Sequence, residues 1–120
     1  MTELVIRTRT TPAGAVINLA GELDYDSSSE VRDLLAGLAL QDGQQLVVDL
    51  TGVTFCDSSG ITALLAARNH ALAARATIAL AAVPAHISRI FRMIGLDRVF
   101  PTHATAQEAE AAWTPPAAHP

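Results

Sequence analysis

The stretch from Leu46 to Ala67, LVVDLTGVTFCDSSGITALLAA, constrains the fold of this chain more than any other. It opens with apolar residues on consecutive positions, Leu46, Val47, Val48 and Leu50, interrupted only by Asp49. Such a run is expected of a strand covered on both faces. After the polar segment Asp57-Ser58-Ser59-Gly60 the period changes, and Ile61, Leu64 and Leu65 follow the i, i+3, i+4 spacing of a helix with one buried stripe. Asp57, Ser58 and Ser59 are each suited to cap that helix, so at least one hydroxyl is expected among the start amides that lack intrahelical partners. A phosphoserine, with about 1.5 to 2 negative charges, could be carried at such a place without unfolding the domain. Taken alone, the same residues also read as ordinary caps.

Around this stretch strands alternate with helices. Leu4–Arg9 and Ala15–Ala20 read as a hairpin joined through Thr11-Pro12-Ala13-Gly14. Gly21-Glu22-Leu23-Asp24 is a polar exit, and Ser27 with Glu30 three residues on has the capping-box pattern ahead of Val31, Leu34, Leu35 and Leu38. That helix is expected to end near Leu40, and the second helix to fade at Ala73 or Ala74. Thr77–Val83 reads as a fourth strand, and Pro84 opens a third helix with Ile87, Ile90, Phe91 and Ile94 on one face and Gly95 as its stop. Val99-Phe100 is expected as a short last strand, before a final helix from about Ala104 to Trp113.

The order predicts one α/β domain over residues 1–113: a mixed, mostly parallel sheet of four to five strands, an N-terminal antiparallel hairpin and about four helices, with a disordered tail over 114–120. If the second and third strands are parallel, their carboxyl ends share a rim. Gly21–Asp24 then lies beside Asp57–Gly60, with Pro84 expected on that rim too, where open α/β sheets place their binding sites.

Composition narrows the function classes. With 120 residues, half of them hydrophobic, the chain fits one domain with a real core. A formal charge of −4 leaves no basic footprint for nucleic acid or an anionic membrane. Cys56 is the single cysteine, which excludes a disulfide framework and reads as a small buried hydrophobe at the strand end. Neither a signal-peptide pattern nor a run of about twenty apolar residues is visible, so a soluble cytoplasmic protein is expected.

Ser58 sits between strand and helix as a hydrolase nucleophile does, but the Gly-x-Ser-x-Gly elbow is absent, since Cys56 and Gly60 flank it at two removes. His70, His86, His103 and His119 are scattered without zinc-ligand spacing, and no phosphate-cradling glycine loop occurs. No metal, cofactor or enzymatic activity is expected. An acidic phosphoacceptor pocket built on Asp24 and Asp57 would need a partner lysine, and all eight basic residues are arginine.

Three segments carry a resemblance. Gly21-Glu22-Leu23-Asp24, Val47-Val48-Asp49-Leu50 followed by Phe55-Cys56-Asp57-Ser58-Ser59-Gly60-Ile61, and Arg89-Ile90-Phe91-Arg92-Met93-Ile94-Gly95-Leu96-Asp97 together resemble the STAS domain, specifically the free-standing bacterial anti-sigma factor antagonists. The likeness covers nearly the whole chain, and its most specific part is Asp-Ser-Ser-Gly. It implies a STAS-like fold and a partner-switching role in sigma-factor-dependent transcription under a stress or developmental signal. In that family the first serine of Asp-Ser-Ser-Gly, Ser58 here, is phosphorylated by an anti-sigma factor that is also an ATP-dependent serine kinase. The unphosphorylated form binds the kinase and frees a sigma factor, and a PP2C-type phosphatase removes the mark. By the same resemblance Gly21, Glu22, Asp24, Asp57, Ser58, Ser59, Gly60 and Ile61 form the partner-binding surface. Cys56 departs from the pattern, standing where relatives often carry a larger apolar residue such as Met. The alternative within the family is a STAS scaffold or transport-accessory module with no phosphorylation switch.

Overall fold

A hairpin opens the chain. In the computed structural model, which describes residues 3–115, β1 (Val5–Thr11) pairs antiparallel with β2 (Gly14–Leu23). Gly14 lies at φ +147°, and a Cβ there would press into the Gln45 carbonyl oxygen, so β2 can approach the next strand only through glycine. β3 (Gln45–Cys56) runs parallel to β2, β4 (Thr77–Ala81) parallel to β3, and the two-residue β5 (Thr102–His103) parallel to β4, in the sheet order β1-β2-β3-β4-β5. The parallel pairings need crossovers, and these are α1 (Tyr25–Ala36), α2 (Ser58–Ala73) and α3 (Ala85–Ile94), the last followed by a single 3-10 turn at Leu96–Arg98. The short α4 (Ala106–Ala112) closes the domain. This is the mixed α/β architecture that the sequence predicts.

Both sheet faces are covered, which explains the consecutive apolar residues of β3. Ile17, Leu19, Leu46, Val48 and Leu50 pack with Val31, Leu35, Leu64, Ile87, Phe91 and Phe100 on one side. Val16, Val47, Ala79 and Ala81 pack under Ala109 of α4 on the other. The alanines that weaken the strand signal of β4 are what let α4 lie close to it. α4 is tied down by Trp113, whose indole Nε1–H donates to the Gly43 carbonyl at 3.0 Å, and by the exposed ion pair of Arg9 with Glu110, also 3.0 Å. The ion pair is worth at most about 1 kcal/mol at such exposure.

Several boundaries differ from expectation, each for a physical reason. Asp24, not Ser27, caps α1: its Oδ1 accepts the Ser27 N–H at 3.0 Å while Ser27 Oγ accepts the Asp24 N–H at 2.9 Å, so the box closes one turn earlier and Ser27 is its third residue. α1 also ends sooner, at Ala36, with Gly37 as its cap. β3 runs on to Cys56, well beyond the apolar run that ends at Leu50. Val99 and Phe100 are not a strand; Phe100 is buried and packs on Phe91, ring centroids 6.3 Å apart, and the last strand is Thr102–His103. On α3 only Ile87 and Phe91 are buried, whereas Ile90 and Ile94 are exposed. Pro84 caps α3 without a side-chain bond, but it does not join the rim. The last β3–β4 pair is Asp49 with Ala81, and β3 continues to Cys56, a run of roughly 20 Å at strand rise. Residues 116–120 of the expected tail lie outside the described residues.

Candidate functional site

Two bulges build the far end of β3. Between Asn18 and Ala20, and again between Gly21 and Glu22, β3 spends one residue more than β2, so Asn18 pairs with Asp49, Ala20 with Gly52, Gly21 with Val53 and Glu22 with Phe55. Such insertions bend and twist a strand, and they are common beside functional sites. They bring the ends of β2 and β3 level at Leu23 and Cys56. The Asp57 N–H then donates to the Leu23 carbonyl at 3.2 Å, which fixes the β3–α2 junction against the β2–α1 junction.

Asp57 joins the two. Its Oδ1 accepts the Gly60 N–H at 3.0 Å as the cap of α2, and its Oδ2 accepts the Tyr25 N–H at 3.2 Å at the start of α1. One carboxylate thus serves two helix starts. Neither Ser58 nor Ser59 is the cap; Ser58 is the first residue of α2 and is exposed. Its carbonyl accepts the Thr62 hydroxyl at 3.0 Å, and its own hydroxyl lies outside the capping set. Asp57→Ala is expected to cost about 1–2 kcal/mol through the lost cap, read as a lower melting temperature and as faster hydrogen exchange at the amides of both Gly60 and Tyr25.

The remaining candidates divide by burial. Glu22, Asp24, Asp57, Ser59 and Ile61 are half-buried around Ser58, while Gly21 and Gly60 are buried and shape the rim from beneath. Gly21 lies at φ +109° with the Glu3 carbonyl where a Cβ would be. Gly60 has Cys56 Sγ 2.8 Å and Leu23 Cγ 2.9 Å from the position of an added Cβ. Ser27 belongs to the same set although its sequence position pointed only to a cap: buried in the first turn of α1, it donates its hydroxyl to the Glu22 carbonyl at 2.8 Å and holds the acidic loop closed.

Cys56 is half-buried under α2, and its thiol is pushed up from 9.0 to about 11, first by burial and then by the neighbouring Asp57 charge. It is neutral at physiological pH. Because the folded value exceeds the unfolded one, its contribution to stability is complete below about pH 9 and is lost as pH rises toward 11. Two outcomes are expected. Iodoacetamide at pH 7.5 reacts with native Cys56 at least about tenfold more slowly than with the unfolded chain, and Cys56→Ala shows a smaller loss of stability between pH 9 and 11 than the wild type.

Comparison with known proteins places this geometry. The family profile described as "Mlab, STAS domain" matches residues 6–102. A STAS-domain containing protein from Pseudomonas aeruginosa is 30% identical over 84 residues, covering 70% of this chain and 82% of that protein. Among solved structures, an anti-sigma-factor antagonist (STAS) domain protein from Planctomyces limnophilus superposes with a TM-score of 0.80 at 24% identity, over 91% of this chain and 97% of the other. The anti-sigma factor antagonist SpoIIAA in its unphosphorylated form matches with a TM-score of 0.71 at 22% identity, over 90% and 93%. The Bacillus SpoIIAA has also been solved in a phosphorylated form, with a TM-score of 0.67 to this chain.

Proposed function

The chain belongs to the STAS domain family, and from that premise we propose that it is an anti-sigma factor antagonist whose partner binding is switched by phosphorylation of Ser58. In this reading the unphosphorylated protein binds an anti-sigma factor that is also a serine kinase, and a sigma factor is released. The kinase transfers the γ-phosphoryl group of ATP to Ser58 Oγ, and a PP2C-type phosphatase hydrolyses the ester. The protein itself catalyses nothing, and its place of work is the cytoplasm. The observation that carries the reading is an exposed serine at the first position of α2 whose cap is made by its neighbour Asp57. Esterifying Ser58 therefore removes no capping bond, and the added anion meets the positive end of a sixteen-residue helix.

The test is phosphorylation in vitro. Incubated with its kinase and ATP, the protein is expected to gain one phosphate, mapped by mass spectrometry to Ser58 and abolished by Ser58→Ala; phosphate on Ser59 would overturn the assignment. A second reading, a scaffold or transport-accessory STAS module with an unmodified Ser58, is favoured by the matching profile, whose description names Mlab rather than an anti-sigma pathway. Co-purification with a transporter ATPase, with no incorporation of phosphate, would select it.

A further inference from the structure

The chain has one Trp, one Tyr and three Phe. Phe91 and Phe100 stack in the core, and Trp113 is half-buried against Gly43. The other two are exposed, and both stand at the Ser58 end: Tyr25 at 78% and Phe55 at 47% exposure. Tyr25 is the first residue of α1, with its backbone N–H on Asp57. Phe55 is paired with Glu22, and because Cys56 beside it faces the core, strand alternation sends Phe55 to the opposite side of the sheet. The two rings flank the rim that bears Asp57 and Ser58.

Next to Tyr25 lies a groove of about 270 Å³ lined by Glu3, Leu4, Glu22, Asp24, Asp26 and Glu30. Among the described residues the one ion pair is Arg9 with Glu110, so these five carboxylates have no cationic partner. Exposed aromatic rings are costly to leave in water and are over-represented among residues that dominate protein interfaces. An uncompensated acidic groove beside them selects a partner of opposite charge.

We propose that Tyr25 and Phe55 are the anchors of the partner interface, and that the partner presents a basic surface: an arginine or lysine entering the acidic groove, with apolar pockets for the two rings on either side of the Ser58 rim. This rests on the reading of Ser58 as the centre of a docking surface and adds the residues that hold the partner and the chemistry it must carry. Neither ring is part of the fold's core, so each can be removed without unfolding the domain. The phosphate switch and the anchors then act separately: the partner's cation is seated in the acidic groove, so a phosphate on Ser58 would be covered by a neutral contact without a counter-charge, and the rings supply the grip.

The test compares variants for binding to the protein captured on immobilised wild-type chain and identified by mass spectrometry. Tyr25→Ala and Phe55→Ala are each expected to weaken binding at least about tenfold, and Asp26→Lys to weaken it most at low salt. Met93→Ala, equally exposed at 78% on the distant helix α3, is expected to have no effect. Binding unchanged in both aromatic variants overturns the proposal, as does an equal loss in Met93→Ala, and a kinase that still phosphorylates Ser58 in such variants would leave the switch intact. Anchor-dependent binding to a partner with no kinase activity supports the anchors and removes the phosphorylation reading. A chain that captures no partner overturns both.

Discussion

Gly60→Ala is expected to lower the melting temperature by about 8 °C, although alanine is the better helix former by about 1 kcal/mol. The reason is what a methyl group meets there. Its Cβ would press into the Leu23 carbonyl oxygen and lie 2.8 Å from Cys56 Sγ and 2.9 Å from Leu23 Cγ. A backbone oxygen at the end of β2 cannot step aside as a flexible side chain can, and overpacking of this kind costs about 1–3 kcal/mol. With the clash near the upper figure and the propensity gain deducted, about 2 kcal/mol remains, or some 4 °C per kcal/mol for a domain of this size. Gly37→Ala is the control: its nearest atom is the Leu34 oxygen at 3.8 Å and its φ is −96°, so the melting temperature should hold or rise slightly. Thermal unfolding of the two variants decides the matter, and a Gly60→Ala protein as stable as wild type would mean that α2 does not start as close to Leu23 as described.

Ser58→Asp is expected to leave the fold intact, with a melting temperature within about 2 °C of wild type, while lowering affinity for the kinase partner about a hundredfold. The side chain is exposed at the start of α2, where an anion gains about 0.3–1 kcal/mol from the helix end. That gain offsets part of the repulsion from Asp57 and Asp24. The partner has no such compensation. With its cations taken up by the acidic groove, the partner meets Ser58 through a neutral contact, and a negative charge buried there without a counter-charge costs several kcal/mol. Since each 1.4 kcal/mol is tenfold, a factor of a hundred needs less than 3 kcal/mol. Isothermal titration of Ser58→Asp beside the neutral Ser58→Asn separates charge from bulk: Ser58→Asn is expected to keep most of the affinity, whereas an equal loss in both variants, or no loss at all, removes the charge mechanism.

Much of the fold was legible because local and global signals agree. The change from consecutive apolar positions to helical spacing at Asp57–Gly60 marks the junction of β3 and α2, and Gly95, at φ +81°, ends α3 where a left-handed cap is needed. The misreadings have particular causes. Ser27 with Glu30 fits the Ser-x-x-Glu pattern, but the box that forms is one turn earlier, where Asp24 Oδ1 accepts the Ser27 N–H and Ser27 Oγ accepts the Asp24 N–H. The apolar run that marks β3 ends at Leu50, and the polar or small Thr51, Gly52 and Thr54, where the bulges fall, hide the rest of the strand. β5, two residues long, has no period to read. The rim was legible up to the contact of Gly21–Asp24 with Asp57–Gly60; the distance of Pro84 from it was not, because strand register is set by long-range pairing. Tyr25 and Phe55 were passed over because exposure of a ring has no sequence signature of its own.

The overhang of β3 past Asp49 gives the molecule a mechanical division of labour. Beyond that point the sheet is carried by the β2–β3 side alone, with α1 and α2 packed along it, while β4, β5, α3 and α4 remain at the base. The end that carries Ser58 is a cantilever, and a load applied at its tip reaches the foundation only through its own length. Exposed residues of α3 and α4 lie at the base, so substitutions there are expected to leave Ser58 and its neighbours in place.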